Sequence, residues 1–228
     1  MIKKLVDISK NNIWVIIPGI NEEKYIAAVL KKVLKQTENI IVVDDGSTDS
    51  MREIAKKYTE HVLSHSVNLG KGAALKTGCE YAFKKLGAEA VIFIDSDDQH
   101  DPEEIPLFVK TLETADAVFG VRSFNEKMPL FRIILNRLAS FIILLMFGKY
   151  IPDIPCGYKA MSKSAYKKLA WNSADYAVEM EIAARTAKYK VNYLTIPIKT
   201  IYHNFDRGMT IIDTVRMITK VVGWRISL

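Results

Sequence analysis

The sequence predicts an α/β fold in which a mostly parallel, doubly wound sheet is flanked by helices. Short apolar runs at 13–17, 40–43 and 91–94 have the length and the β-branched content of buried strands. Amphipathic stretches of helical period lie between these runs, so strands and helices alternate along the chain. With 228 residues, 49% of them hydrophobic, we expect a single domain that spans 1–228.

The first strand and the first helix set this pattern. Residues 13–17 form the strand, and Pro18 and Gly19 should end it, because proline cannot donate a hydrogen bond within a central strand. Asn21 is the expected N-cap of the next helix, in which apolar side chains recur at helical spacing between 25 and 34.

The next two strands lead into loops rich in polar residues and glycine. Residues 40–43 form a strand, and the acidic turn after it precedes a helix near 51–55. A short strand at 61–64 leads to the loop 68–72, whose two glycines allow close backbone approach and whose Lys71 can reach a phosphate. An ordinary glycine-rich helix start explains this loop equally well.

The strand at 91–94 ends in clustered polar residues. Asp95, Asp97 and Gln99 alternate there, and their oxygens suit Mg²⁺ or Mn²⁺, which leave coordination positions open for phosphate. The alternative is an acidic turn that caps a helix beginning at Pro102, with Asp101 as the N-cap.

Three polar stretches, 21–22, 44–45 and 95–97, each follow a predicted strand. The carboxyl ends of parallel strands share one edge of the sheet, and ligands bind there. The sequence therefore predicts that these side chains converge.

The second half of the chain contains two amphipathic segments. The helix at 129–147 is apolar almost all round, except for a stripe of Arg132, Asn136 and Ser140 at four-residue spacing. It can lie in a membrane interface with the stripe turned toward an anionic site, or pack on the sheet as an ordinary buried helix. The tail at 210–226 can contact lipid, a partner or the domain.

The other predicted elements are helices at 102–112, 163–169 and 175–187 and strands at 115–120, after 153–157 and at 191–202. Pro197 should place the last strand at an edge or at a bulge.

Composition excludes several classes of protein. The two cysteines and four histidines form no cluster, so neither a disulfide framework nor a zinc site is expected, and both thiols should be reduced as in a cytoplasmic protein. No signal peptide is recognised, and the longest apolar tract, 138–147, is half of the roughly 20 residues that span a bilayer.

Charge is distributed unevenly along the chain. Residues 1–120 contain 15 Lys and Arg against 19 Asp and Glu, whereas 121–228 contain 17 against 7. An acidic half that holds a metal and a basic half suit an enzyme whose metal-bound donor meets an anionic second substrate or an anionic membrane surface. The basic residues are scattered singly among apolar ones, so we expect no nucleic acid partner.

Several motifs in one order resemble glycosyltransferase family 2, and within it the dolichol-phosphate mannosyltransferase group, which glycosylates polyprenyl phosphates. The likeness covers nearly the whole chain. It implies a GT-A fold, which is Rossmann-like, with C-terminal amphipathic helices. The motifs are Val15-Ile16-Ile17-Pro18 with Asn21-Glu22-Glu23, Val42-Val43-Asp44-Asp45-Gly46-Ser47, Asn68-Leu69-Gly70-Lys71-Gly72 with Gly78, Asp95-Ser96-Asp97-Asp98-Gln99-His100, and Asp153 with Cys156-Gly157-Tyr158.

The resemblance implies a role for each matching residue. The donor's base and ribose would be lined by Pro18, Glu22, Asp44 and Asp45, with Lys71 nearby. Mg²⁺ or Mn²⁺ on the donor diphosphate would be held by Asp95, Asp97 and Gln99. The acceptor phosphate would be held by Arg122, Arg132 and Asn136. Asp97, Arg122 and Arg132 would carry the catalysis.

Two segments depart from the pattern of the group. Gly19-Ile20 stands where the group commonly has Ala-Tyr, so an aromatic contact to the donor is missing. The segment 205–211 has Phe and Ile where an Arg-x-x-Gly-x-Ser-Lys motif has Arg and Lys, and Arg207 is a candidate substitute.

The implied function is the inverting, metal-dependent transfer of a hexose from GDP-mannose or a UDP-sugar to a polyprenyl (dolichyl) phosphate, by a peripheral protein on the cytoplasmic face of a membrane. A phosphomonoester is mostly dianionic at pH 7, so no general base is required. Two alternatives stay open. One is a family member that glycosylates a glycan or soluble hydroxyl, with Asp98 or Asp153 as the base, and the other is a non-catalytic nucleotide-binding module.

Overall fold

The computed structural model describes residues 12–122, 130–201, 220–221 and 223–225, and within these ranges the side chain of Arg132 is not described. Seven described strands form one sheet in the order β3-β2-β1-β4-β6-β5-β7. All pairings are parallel except those of β6 with β4 and β5, which confirms the predicted mostly parallel sheet. The strands are β1 (Ile13–Gly19), β2 (Ile40–Asp44), β3 (Val62–Ser64), β4 (Ala90–Phe93), β5 (Ala117–Arg122), β6 (Lys159–Ser162) and β7 (Tyr193–Ile198).

Helices cover both faces of the sheet. One core cluster joins the sheet to α3, α5, α6 and α7, and the other joins it to α1, α2 and α4. Alternate residues of a strand supply the two clusters, because successive side chains point to opposite faces. Ile16 of β1 belongs to the first cluster, whereas Val15 and Ile17 belong to the second. The helices are α1 (Ile26–Leu34), α2 (Met51–Ala55), α3 (Lys71–Lys84), α4 (Ile105–Leu112), α5 (Leu130–Phe147), α6 (Lys163–Leu169) and α7 (Val178–Lys188).

The prediction that Pro18 ends the first strand is wrong, since β1 runs through Gly19 in the middle of the sheet. The N–H of Val15 points toward β2. The backbone polar groups of a strand point to alternate sides, so those of Ile16 and Pro18 point toward β4. Pairing with β4 ends at Ile16. The missing N–H of Pro18 therefore faces a position that has no ladder partner, and the strand continues at no cost in hydrogen bonds.

The predicted N-cap of the first helix is wrong as well. Helix α1 begins at Ile26, and Asn21 lies before it with a positive φ of 55°. The side-chain oxygen of Asn21 accepts from the N–H of Thr48 and so joins the loop after β1 to the loop after β2. The N-cap predicted at Asp101 is confirmed, because its carboxylate accepts from the N–H of Glu103 at the start of a short 3-10 helix, Pro102–Glu104.

Helix α5 lies in the predicted amphipathic segment at 129–147, and its described side chains show which side faces the protein. Asn136 and Ser140 are buried, so these two polar side chains point inward, and Ala139 and Ile143 beside them pack in the core. The apolar flank faces outward: Leu130 is 72% exposed and Ile134 is 57% exposed. The outward side chains are Leu130, Phe131, Ile134, Leu138, Phe141 and Leu145.

Most of the predicted tail at 210–226, and Arg207 before it, lie outside the described residues. In the part that is described, Val221 is fully buried in the core and Lys220 pairs with Asp175. None of the helices in the described ranges is both long and apolar enough to cross a membrane.

Candidate active site

A pocket of about 350 Å³ opens at the carboxyl ends of β1, β2 and β4. Strands β2 and β4 lie on either side of β1, so the chain changes its direction of winding at this place. The lining residues come from the end of β1, the loops after these three strands, the start of α3 and the loop before α7. They are Pro18, Gly19, Ile20, Glu22, Asp45, Asn68, Gly70, Lys71, Ala74, Asp95, Ser96, Asp97, Asp175 and Tyr176.

Convergence of the three polar stretches is confirmed for Glu22, Asp45, Asp95 and Asp97, whereas Asp44 is not among the lining residues. Asp44 has the parity of Ile40 and Val42, whose side chains face α1 and α2. Its carboxylate accepts from the N–H of Ser47 and shapes the turn.

Asp45 holds the glycine-containing loop against the pocket. Its carboxylate accepts from His65 Nδ1 at 2.7 Å, from the N–H of Leu69 at 3.0 Å and from the N–H of Gly70 at 2.8 Å. His65 Nε2 lies 2.9 Å from the hydroxyl of Thr77 on α3. The buried Asp45 thus fixes the entry into α3, the helix that carries Lys71.

Lys71 bridges two acidic side chains. Its Nζ lies 2.7 Å from Asp95 Oδ1 and 2.8 Å from Glu179 Oε1 on α7. Burial opposes the charge of Lys71, but the two carboxylates outweigh burial and raise its pKa above the ordinary value. Burial likewise acts to raise the pKa of Asp95, and Lys71 outweighs it, so that the pKa of Asp95 falls to about 2.

Asp97 has the opposite electrostatic situation. Its carboxylate accepts from the N–H of Gln99 at 3.1 Å and from Gln99 Nε2 at 2.8 Å. Burial and the negative charge of Asp95 raise the pKa of Asp97 to about 6. Gln99 therefore stays within reach of Asp97, although it is not among the lining residues.

A buried histidine and a glycine position Asp95. Its N–H donates to His100 Nδ1 at 3.3 Å, and burial lowers the pKa of His100 to about 4, so this ring is neutral at pH 7. A Cβ at Gly157 would lie within 3 Å of the Asp95 carboxylate. Only a residue without a side chain leaves room for Asp95 there.

A second polar cluster forms around Asp153, whose side chain is fully buried. Its carboxylate accepts from Arg122 Nη2 at 2.7 Å, from the N–H of Arg122 at 2.7 Å and from Asn136 Nδ2 at 2.6 Å. Burial acts to raise the pKa of Asp153, but the hydrogen bonds from Arg122 lower it below the ordinary value. Arg122 and Asn136 are thus brought together as predicted. Arg132 lies one helical turn before Asn136.

The loop 153–157 joins the two clusters. Asp153 begins it, Gly157 ends it against Asp95, and four peptide units span at most about 14 Å. Buried Lys159 donates to the carbonyl oxygens of Ile154 and Cys156 and holds the loop in place. The acidic pocket and the polar cluster around Asp153 therefore lie on the same side of the molecule.

Sequence reasoning missed three residues of this region: Asp175 and Tyr176, which line the pocket, and Glu179, which pairs with Lys71. They lie about 80 residues after Asp95 and belong to no polar run that follows a strand. No local pattern could have indicated their position.

A family model described as "Glycosyl transferase family 2" matches residues 14–170. An uncharacterized protein of Methanocaldococcus jannaschii is 36% identical over 96% of this chain and 95% of its own length. A UDP-N-acetylglucosamine–dolichyl-phosphate N-acetylglucosaminyltransferase of Methanococcus voltae is 33% identical over 85% of this chain and 87% of its own.

Among solved structures, glucosyl-3-phosphoglycerate synthase from Mycobacterium tuberculosis, in complex with Mg²⁺ and uridine diphosphate, has a TM-score of 0.73 to this chain at 21% sequence identity. The likeness covers 96% of this chain and 79% of that one. It confirms the expected GT-A fold.

The electrostatics of Asp97 predict a gain in stability from Asp97→Asn in metal-free protein. At pH 7.5 the amide removes a half-buried negative charge that is repelled by Asp95, and a pKa shift of about two units corresponds to about 1 to 3 kcal/mol in the free energy of unfolding. Because the folded pKa of about 6 lies above the ordinary 3.8, the favourable protonated form is complete below about pH 4 and is lost as the pH rises through 6. The gain should therefore shrink at pH 5. Urea titrations with a chelator at pH 7.5 and pH 5 measure it.

Glu113→Gln, an exposed change on the far end of α4, is the matched control and should alter stability little at either pH. If Asp97→Asn is no more stable than the wild type at pH 7.5, the negative charge of Asp97 does not destabilise the fold and the prediction is wrong.

Proposed function

The chain belongs to glycosyltransferase family 2, and we propose that it transfers a hexose, with inversion, from a nucleotide sugar to a polyprenyl phosphate. One observation carries the proposal: the loop 153–157 connects an acidic pocket to a buried aspartate that holds Arg122 and Asn136. Such an arrangement can present two anionic substrates to each other.

The residues of the acidic pocket fit a divalent cation. No group of three or more His, Cys, Asp or Glu suited to a metal occurs in the described part of the chain. Mg²⁺ commonly takes one or two carboxylates and completes its shell with substrate phosphates, and Asp95, Asp97 and Gln99 match that demand. The ammonium of Lys71 between Asp95 and Glu179 supports this fit, because it occupies a place that attracts a cation. A bound Mg²⁺ or Mn²⁺ would neutralise the leaving diphosphate.

The other end of the pocket suits the nucleoside. Pro18 comes from the end of β1, and Ile20 and Glu22 come from the loop after it. Asp45 accepts from the N–H groups of Leu69 and Gly70 and so fixes the neighbouring loop. We propose that base and ribose lie here. Asp44 lies outside the lining, so we propose a supporting role for it through the turn to Ser47.

The state of the carboxylates favours a phosphate acceptor over a hydroxyl acceptor. A hydroxyl needs a general base, and the two candidates are engaged elsewhere: Asp153 binds Arg122 and Asn136, and Asp98 binds Lys32 on α1 at 2.7 Å. A carboxylate with a lowered pKa is also a weak base, which applies to Asp153. A phosphomonoester dianion needs no base. We propose that Arg122, Arg132 and Asn136 hold it.

The donor is proposed as a UDP- or GDP-hexose. The Methanococcus voltae relative is named for UDP-N-acetylglucosamine and dolichyl phosphate, which supports UDP-N-acetylglucosamine as our first candidate donor, with GDP-mannose as the second.

The outward face of α5 supports peripheral attachment to a membrane. It presents six large apolar side chains, while Asn136 on the opposite side of the helix donates to Asp153 within the protein. A lipid acceptor must deliver its phosphate from a bilayer surface, and the net positive second half of the chain suits anionic lipids. We propose that α5 lies in the interface on the cytoplasmic face.

The proposed reaction predicts sugar transfer to a short polyprenyl phosphate in the presence of Mg²⁺ or Mn²⁺. A panel of UDP-N-acetylglucosamine, UDP-glucose and GDP-mannose, with product measured by mass, identifies the donor. Chelation of the metal and the substitution Asp97→Ala should each abolish turnover, while a cooperative melting transition shows that the protein is still folded. Transfer to a soluble glycan, but not to the lipid phosphate, would overturn the acceptor class, and full activity with a chelator would overturn the role of the metal.

The acceptor assignment predicts that Arg132→Ala damages acceptor use more than donor binding. Loss of one charge-assisted contact to phosphate is worth roughly 1.5 to 3 kcal/mol, or about 10- to 100-fold in KM for the lipid phosphate. Arg137→Ala, an exposed arginine on the same helix, is the control and should leave this KM nearly unchanged. Equal KM for polyprenyl phosphate in wild type and Arg132→Ala would contradict the assignment.

The membrane assignment predicts that Ile134→Gln/Phe141→Gln weakens binding to anionic phosphatidylglycerol vesicles by more than tenfold, since each buried apolar side chain is worth about 1.5 to 3 kcal/mol. Sedimentation with vesicles measures this. Leu107→Gln, which changes a leucine on α4 that is 42% exposed, is the control and should bind as the wild type does. The assignment fails if the wild type does not bind vesicles or if the double variant binds equally well.

A further inference from the structure

The loop between α6 and α7 builds one wall of the pocket. Asp175 and Tyr176 of this loop line it, and both lie beyond the segment 14–170 that the family model matches. Among the described lining residues Tyr176 is the single aromatic one, and it is 60% exposed. A large ring that stands open beside a polar pocket can pack against a ligand.

The backbone of this wall is fixed against α3. Trp171 Nε1 donates to the carbonyl oxygen of Gly72 at 2.8 Å, and the N–H of Ala73 donates to the carbonyl oxygen of Ala174 at 3.0 Å. A Cβ at Gly72 would overlap the backbone of the wall at Ser173, so the two segments touch.

Buried Glu181 fixes the wall from the other side. Its carboxylate accepts from the N–H groups of Asn172 and Ser173, from the Ser173 hydroxyl at 2.6 Å and from Arg185 Nε at 2.8 Å. Asp175 accepts from the N–H of Ala177 and pairs with Lys220. Tyr176 is therefore presented by a preformed backbone, so little conformational entropy is lost when a ligand contacts it.

Tyr176 lines the same pocket as Asp95 and Asp97, and its wall contacts the start of α3 at Gly70 and Gly72, on either side of Lys71. Burial raises the pKa of the Tyr176 hydroxyl. Beside Asp95 and Asp97 the outer phosphate of a nucleotide sugar would meet the cation, and the sugar is bonded to this phosphate. The ring of Tyr176 would then be within reach of the sugar.

We infer that Tyr176 contacts the sugar ring of the donor and is a specificity-determining residue, an inference that depends on the proposed function. A pyranose offers an apolar C–H face that packs on an aromatic ring, and the phenol hydroxyl can exchange hydrogen bonds with sugar hydroxyls. The loop 171–177 therefore selects the sugar, while the loops after β1 and β2 hold the nucleoside.

Comparison of nucleotide sugar with nucleoside diphosphate isolates this contact. We expect Tyr176→Ala to weaken binding of UDP-N-acetylglucosamine or GDP-mannose, whichever the wild type uses, by about tenfold, while binding of UDP or GDP changes less than twofold. Tyr176→Phe should keep most of the affinity, because the ring remains. Isothermal titration calorimetry with Mg²⁺ measures each constant, and it requires no turnover.

Tyr189→Ala, an exposed tyrosine at the end of α7 outside the lining, is the matched control and should match the wild type with both ligands. An unchanged affinity of Tyr176→Ala for the sugar nucleotide, or equal losses for both ligands, would overturn the inference while transfer by the wild type still upholds the proposed function. A wild type that binds neither nucleotide nor nucleotide sugar overturns both. Because Tyr176 is largely exposed, its variants should melt at the wild-type temperature. If Tyr176→Ala melts lower, the affinities of Tyr176→Phe test the inference in its place.

Discussion

Asp95, Asp97 and Glu179 meet near the carboxyl end of β4, and the ammonium of Lys71 allows these carboxylates to lie close together away from bulk water. Removing a charge from water costs several kcal/mol unless an opposite charge compensates it, and Lys71 compensates Asp95 and Glu179 at once. No cation among the described residues contacts Asp97, and burial and the charge of Asp95 raise its pKa. A carboxylate that Lys71 neutralises thus lies beside one whose negative charge is disfavoured, an arrangement that costs stability.

The position of Lys71 depends on backbone that approaches closely. Gly70 has a φ of 97°, in the region that side chains disfavour, and Gly72 lies against Ser173 and Ala174. These glycines let the first turn of α3 lie between the strand ends and the wall of the pocket. The glycines of the loop 68–72 therefore serve packing and site geometry at the same time, and the two explanations of this loop do not compete.

The acidic first half and the basic second half of the chain meet at the loop 153–157. Asp153 lies at the start of this loop with a φ of 47° and binds Arg122 and Asn136, and Gly157 at its end fits against Asp95. A change in the conformation of this loop would disturb both the acidic pocket and the cluster around Asp153. The acidic pocket and the cluster around Asp153 are therefore neighbouring sites on one face.

The sequence by itself determined the alternation of strands and helices, the acidic strand ends and the amphipathic helix α5, because these follow from local periodicity and from the positions where apolar runs stop. It did not determine that Pro18 continues β1, since that depends on where β4 ends, nor that Asp44 and Asp45 point to opposite sides. Glu179 and Tyr176 were also out of reach, because nothing near them in the chain indicates that α7 returns to the end of β4. Only the tertiary structure decided these contacts, since they join residues whose proximity is set by the order of strands in the sheet and not by their spacing in the sequence.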